Sequence, residues 1–365
     1  MNELTGKTGH EDKATLMALH GNTTSMGNEM KPQWILWNYG TVNKNGTFTA
    51  SNGKTIDIPE LPPLSDTEHG LGGIGTVLQI AKDKGLQMRG HVLTWHSQTF
   101  DWFFCKDYDT SKGLTDKETM TARHEWYIKT VLDYVKQWEE ENNNGKHIIY
   151  TWDVVNEAVA DDPTKEEFYR GSTPGTSTNI PALKNGCHSE GGTSRWYQIY
   201  QSNDFIINAF RFANKYAPKD VTLCYNDYNE YMEYGDENGR GYKRSGIISL
   251  LKDVLSHKED EDLPTRIDAF GMQSHFADWV GLNGIEDTIK EYLKLGIDLQ
   301  VTEIDFAWNE SKYTDAVSKG YSGTKLEDLY YDHMKLYKKY SKYKNAINGH
   351  GITSVTLWAV EDNDN

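Results

Sequence analysis

The sequence predicts a single parallel α/β barrel, and three observations predict it. Strand-like apolar runs alternate with helix-like amphipathic runs throughout, the runs recur at the spacing of βα units, and ionisable residues collect where the apolar runs end. Candidate strands lie at 22–28, 86–94, 147–156, 221–227, 266–275, 297–304 and 352–358. Helical patterns lie near 11–19, 68–84, 115–139, 195–216, 241–256, 284–295 and 325–346. Such alternation gives a parallel sheet with helices outside. Seven strands at this spacing favour a (β/α) barrel over an open sheet, and 365 residues suit one such domain, 1–365.

In chain order, the polar, turn-like start MNELTGKTGH leads directly into the helix 11–19. The first strand, 22–28, ends on Asn28. Residues 37–66, rich in Asn, Gly, Thr and Pro, read as a long loop. The run Gly70 to Gly75 fits GxGxxG, but the dinucleotide fingerprint needs a strand directly before it. Here Pro59, Pro62, Pro63 and polar turn formers precede it, so the glycines read as the start of helix 68–84 against a crowded neighbour. Strand 86–94 runs into His91 to Gln98. Thr115-Asp116-Lys117-Glu118 has the spacing of a capping box for the helix 115–139, with Ser111 as a competing start. Strand 147–156 ends in Asn156-Glu157, and a second long loop, 160–193, follows. The remaining strands end in Asn226-Asp227, Gln273 to His275, Glu303 to Asp305, and Trp358. In parallel barrels the chemistry sits at the carboxyl ends of the strands, and that is where these residues fall. There is no tandem repeat and no linker that would separate a second domain.

Composition narrows the partners. A net charge of −16 argues against nucleic acid, which needs a basic face, and against an anionic membrane surface. It suits a neutral polymer, and it equally serves solubility alone. The cysteines Cys105, Cys187 and Cys224 are scattered, with no CxxC, and form neither a disulfide framework nor a zinc site. His91 and His96 have opposite strand parity and lack a third ligand at suitable spacing, so no metal site is expected. No run reaches the about eighteen apolar residues of a membrane span, and the first twenty residues lack the apolar core of a signal peptide.

Glu157 and Glu303 each close an apolar run, in Thr151 to Ala158 and Ile297 to Asp305. Two carboxylates delivered by different strands are what glycosidic bond cleavage needs, one as acid and one as base or nucleophile. Asp305 shares the strand parity of Glu303, so both can face one side.

The segments Asn28 to Pro32, Arg89 to Gln98, Trp152 to Ala158, Tyr225 to Asn229, Gly271 to Phe276 and Thr302 to Asp305 resemble, in order, those of glycoside hydrolase family 10, the retaining endo-β-1,4-xylanases. The likeness covers roughly residues 20–365 and implies a (β/α)8 barrel. It implies Glu157 as general acid/base and Glu303 as nucleophile, with carboxyls about 5–5.5 Å apart. It further implies that His275 bridges Glu303 and Asp305, that Asn156 bonds the 2-hydroxyl of the sugar under attack, and that Gln273 donates near the acid. Trp95, Trp358 and Tyr228 would stack against sugar rings. Asn28, Lys31, His91 and Gln98 would bond sugar hydroxyls on the nonreducing side. The resemblance implies xylan and xylo-oligosaccharides as ligands, no cofactor, and a secreted protein. A retaining β-glucanase and a xylan-binding pseudoenzyme are the rival readings.

Three departures from the family pattern stand out. The first barrel strand is not evident before the helix 11–19, and the last helix and a second active-site tryptophan are not evident after Trp358. Gly27 stands where the family has a glutamate, which removes one acceptor for a sugar hydroxyl. The expectation is a chain truncated at both ends, whose unpaired barrel edges invite self-association.

Overall fold

The computed structural model describes residues 13–172, 182–188, 193–277, 279–307, 316–323 and 325–358. The expectations about a first strand, a final helix and a second tryptophan fall on 1–12 and beyond 358, outside the described residues.

The core is a parallel sheet whose strands follow one another around it in chain order: Thr23–Ser25 (β1), Gln87–Trp95 (β4), Ile149–Asn156 (β6), Thr222–Asp227 (β8), Ala269–Met272 (β9), Asp298–Ala307 (β11) and Ile352–Leu357 (β12). These match the candidate strands closely. Among the described residues, β1 pairs only with β4 and β12 only with β11, so they form the two ends of a curled sheet. Helix Lys13–His20 (α1) precedes β1, and helices Gly70–Lys84 (α3), Lys117–Asn142 (α4), Asp204–Tyr216 (α6), Lys243–Ser256 (α7), Leu282–Leu293 (α8) and Leu326–Lys339 (α9) lie between successive strands of the sheet. Their apolar stripes, such as Phe205, Ile206, Ala209, Phe210 and Ala213 on α6, are buried in one continuous core.

Strands covered on both faces read as continuous apolar runs; in β4 everything from Met88 to Thr94 is buried. The interior also holds charge. Arg89, 2% exposed, donates from Nε to Asp153 at 2.8 Å and touches Gln300 and Cys224, so one guanidinium ties β4 to β6, β8 and β11. Gly90 is needed here, because a Cβ would lie 2.3 Å from the Trp152 ring. Trp152 and Trp102 are both buried, whereas Trp279 is 56% exposed.

The structure corrects the sequence reading in five places. Residues 37–66 are not a plain loop: Lys44–Thr49 (β2) and Thr55–Pro59 (β3) form an antiparallel hairpin around Asn52-Gly53, with Gly53 at φ +79°. Its turn is anchored by the buried Glu125, which accepts from the Ser51 amide at 2.6 Å, Lys215 Nζ at 2.9 Å and the Tyr216 hydroxyl at 2.7 Å. The cap of α4 is Asp116 and not Thr115; its carboxylate accepts from the Thr119 amide at 2.9 Å, while Ser111 sits in a separate 3-10 turn. Helix 195–216 is two helices, Arg195–Tyr200 (α5) and α6, broken where Gln201 turns left-handed at φ +50°. Helix 325–346 stops at Lys339, because the Tyr340 carbonyl accepts from the Ile352 amide at 2.8 Å, and Lys342–Asn345 (α10) follows. Strand 266–275 ends at Met272; the chain bends at Gln273-Ser274 and resumes as His275–Ala277 (β10), which pairs with Asp305–Ala307 of β11.

The GxGxxG run opens α3. A Cβ on Gly72 would lie 2.2 Å from the Asp66 carbonyl oxygen and 2.6 Å from that of Leu64, both backbone atoms that cannot swing aside. Gly72→Ala should therefore destabilise the fold by about 1–3 kcal/mol despite alanine's better helix propensity. A denaturation midpoint equal to or above that of the parent would refute the crowding.

Candidate active site

The two glutamates meet at the carboxyl end of the sheet. Glu157 follows β6 in a left-handed residue at φ +55°, with its amide on the Asn226 carbonyl at 2.9 Å. Its Oε2 accepts from Trp95 Nε1 at 2.9 Å and its Oε1 from Gln273 Nε2 at 2.9 Å. Glu303 lies within β11, 6% exposed. Its Oε1 accepts from Asn226 Nδ2 at 2.9 Å, and its Oε2 lies 3.4 Å from His275 Nε2. A relay of amides joins the two carboxyls: Asn156 Oδ1 accepts from Asn226 Nδ2 at 2.9 Å and from Gln273 Nε2 at 3.2 Å.

Their surroundings push the two carboxyls apart in proton affinity. Burial raises Glu157 above the ordinary value of 4.5; the Gln273 amide opposes this, and the charges of Asp227 and Glu303 add to it. Burial acts on Glu303 too, but the His275 hydrogen bond, the charges of His91 and His275 and the Asn226 amide outweigh it, so Glu303 lies below 4.5. His275 is gripped at Nδ1 by Asp305 at 2.7 Å. Burial disfavours its cation, yet Asp305 and Glu303 together raise it to about 10. Groups with opposed proton affinities in one cleft are suited to serve as acid and nucleophile in one reaction.

Around this centre, Trp95 carries Lys31 Nζ 5.4 Å from its ring centroid, and Lys31 also donates to Asn28 Oδ1 at 3.2 Å. Gln98, at φ +44°, accepts at its carbonyl from the Gln33 amide at 2.7 Å. Trp358 stands edge-on to His275, centroids 6.0 Å apart. His91 lies deeper, 4% exposed, with Nδ1 at 2.9 Å from Asp153 Oδ2. Tyr228 bonds Asp161 and, at 3.2 Å, Arg170.

Sequence reasoning gave no role to several residues that build the site. Asn226 touches Asn156 and Glu303 and receives Thr302 Oγ1 at 2.7 Å on its own Oδ1. Its strand-end position was the available signal. Arg170, 2% exposed, donates to the Glu157 carbonyl at 3.0 Å and to Asp161 at 2.9 Å. It comes from the loop 160–193 and carries no local signal. Lys243, wholly buried, pairs with Asp227 at 2.8 Å and sits 4.6 Å from the Tyr228 ring. Among the described residues no His, Cys, Asp and Glu group could hold a metal ion, and no helix is long and apolar enough to cross a membrane.

The family model for glycosyl hydrolase family 10 matches residues 2–365. The chain belongs to that family. A putative endo-1,4-beta-xylanase of Caldicellulosiruptor saccharolyticus is 34% identical over 299 residues, 78% of this chain and 77% of that protein. Endo-1,4-beta-xylanase Y of Acetivibrio thermocellus is 29% identical over 93% of this chain, and endo-1,4-beta-xylanase A of Thermotoga maritima is 32% identical over 95%. This family 10 chain spans only 26% and 25% of those two longer proteins. Among solved structures, the CBM22-1–GH10 modules of Clostridium thermocellum xylanase 10B with xylohexaose align at TM-score 0.67 and 25% identity, over 95% of this chain and 56% of that one. A mutant of an intracellular xylanase from Thermoanaerobacterium saccharolyticum, in complex with xylotetraose, aligns at 0.64 and 26%, over 95% and 81%. The curled parallel sheet with outer helices is thus, in the described residues, part of a (β/α)8 barrel of the family 10 kind.

Proposed function

We propose that this chain is one catalytic domain, a retaining endo-β-1,4-xylanase that hydrolyses internal xylosidic bonds. The observation that carries the reading is the linked pair with opposed proton affinities: burial raises Glu157, while His275 and Asn226, bonded to Glu303, lower it. Glu157 gives its proton to the glycosidic oxygen as Glu303 attacks the anomeric carbon. The leaving chain departs as an alcohol and the sugar stays as an ester on Glu303. Glu157, now a carboxylate, takes a proton from water, which displaces Glu303 and regenerates both groups. Asn156 Nδ2 is buried without a hydrogen-bond partner, an arrangement that suits a donor reserved for a sugar hydroxyl. His275, as a cation beside Glu303 and Asp305, keeps Glu303 ionised before it attacks and again once water has released it. A polymer substrate also favours secretion.

Reducing-sugar release from xylan, barley β-glucan and carboxymethylcellulose tests the substrate, and proton NMR of the first-formed anomer tests the stereochemistry. Release from xylan as the β-anomer supports the reading. Preference for β-glucan, or folded protein that binds xylan without turnover, would replace it with one of its rivals.

The nonreducing side extends past Lys31 into an aromatic shelf. Pro32–Ile35 (α2) carries Trp34, whose ring lies 5.3 Å from Trp37, itself 5.1 Å from the 52% exposed Tyr39. Flat rings offer faces to the C–H surface of outer xylosyl units. Tyr39→Ala should cut kcat/KM for xylohexaose about threefold to tenfold, with aryl xylobioside turnover nearly unchanged. Equal losses on both substrates would show that the shelf is structural only.

A further inference from the structure

Glu230 is a buried carboxyl that the proposed mechanism does not use. It lies in the segment after β8, 2% exposed, with its backbone carbonyl accepting from the Tyr292 hydroxyl at 2.8 Å. Its Oε1 accepts from Ser274 Oγ at 3.2 Å, and its Oε2 is buried without a hydrogen-bond partner. Ser274 is a non-glycine residue at φ +64°, a conformation that persists only where the surroundings hold it. The residues on either side of it each touch one member of the carboxyl pair: Gln273 donates to Glu157 at 2.9 Å, and His275 lies 3.4 Å from Glu303.

We propose that Glu230 is a positioning residue: its carboxyl fixes the left-handed turn at Ser274, and that turn aims Gln273 at Glu157 and His275 at Glu303. The inference rests on the hydrolase reading above. Ser274 Oγ reaches Glu230 Oε1 at 3.2 Å and the Met272 carbonyl of its own chain turn at 3.3 Å, so the carboxyl ties the centre of the bend, with Gln273 and His275 at its ends, to another element. The state of Glu230 suits a structural peg. Burial raises it to about 7, and a neutral acid tolerates an unpartnered oxygen far better than a carboxylate does. The contact therefore needs the shape and acceptor of the group and not its charge, so glutamine can replace it.

The test is kcat and KM on xylan for Glu230→Ala and Glu230→Gln, well below their unfolding temperatures. Rates are taken per active site, counted by covalent labelling with a 2-deoxy-2-fluoro-xylobioside. Displacing reacting groups by about 1 Å costs on the order of 100-fold. Glu230→Ala should thus lose roughly 30- to 100-fold in kcat with KM within about twofold, the split expected when a transition-state interaction is lost. Glu230→Gln should recover to within about threefold of the parent. If Glu230→Ala does not fold, Ser274→Ala, which deletes only the hydroxyl, should show the same split at about 10-fold. An alanine variant with parental kcat per labelled site, or a glutamine variant as impaired as alanine, overturns the proposal. Those results leave the hydrolase reading intact. A parent protein that neither cleaves xylan nor takes the label would overturn both.

Discussion

Glu303→Ala should lower xylan hydrolysis by at least about 10⁴-fold while leaving the fold and xylan affinity in place. The side chain projects from within β11, and its removal takes away only the carboxylate held by Asn226 and His275. The anomeric carbon then has no nucleophile on that face, and water attacking there has no base beside it. The cavity left is the size of a small anion. Azide added to Glu303→Ala should therefore restore turnover of an aryl β-xylobioside carrying a good leaving group. The product should be the α-xylosyl azide, because the attack now comes from the vacated face with a single inversion. Residual activity above about one hundredth of the parent, or a β-azide product, would mean that another group is the nucleophile.

Glu157→Gln should behave differently with different leaving groups. Xylan departs as a poorly acidic alcohol and needs the proton, so its kcat should fall about 10²- to 10⁴-fold. A dinitrophenyl xylobioside departs unaided, and its bond-breaking step should be nearly unaffected. The pH profile separates the two carboxyls further. Glu303 must be ionised and lies below 4.5, so kcat/KM rises as pH climbs through that lowered value. Glu157 must hold its proton and lies above 4.5, so kcat/KM falls as pH climbs through that raised value. The bell belongs to the coupled pair; in Glu157→Gln its alkaline limb should vanish while the acidic limb remains. An alkaline limb that survives the substitution would assign it to another group.

Much of this site was legible because a parallel barrel writes its function at strand ends. Asn156-Glu157, Gln273, His275, Glu303 and Asp305 all sit where an apolar run gives way to polar residues, and the fold then brings those ends together. What stayed hidden depends on contacts across the chain. Arg170 comes from a loop of Gly, Ser, Thr and Pro with no periodicity. Lys243 looks like any lysine at a helix start until Asp227 is found beside it. Asn226 was visible as a strand end, but its part in joining two amides and a carboxylate is geometric. The hairpin β2–β3 was missed although Asn52-Gly53 between β-formers is a turn signal; β2 is largely exposed and shows no apolar alternation, and the alternation in β3 is only five residues long. The bend at Gln273-Ser274 escaped notice because a left-handed serine leaves no mark in sequence.

The Arg170 guanidinium has a bearing on how this protein can be recombined. It reaches from the loop to the carbonyls of Glu157 and Val159, to Asp161 and to Tyr228, so the first part of that loop is fastened to the strand end that carries the acid. A chimaera that exchanges 160–193 wholesale with a relative discards this clamp. One spliced after Arg170 keeps it. Diversity introduced downstream of that arginine leaves its bonds in place, whereas diversity that removes it also disturbs the backbone that carries Glu157.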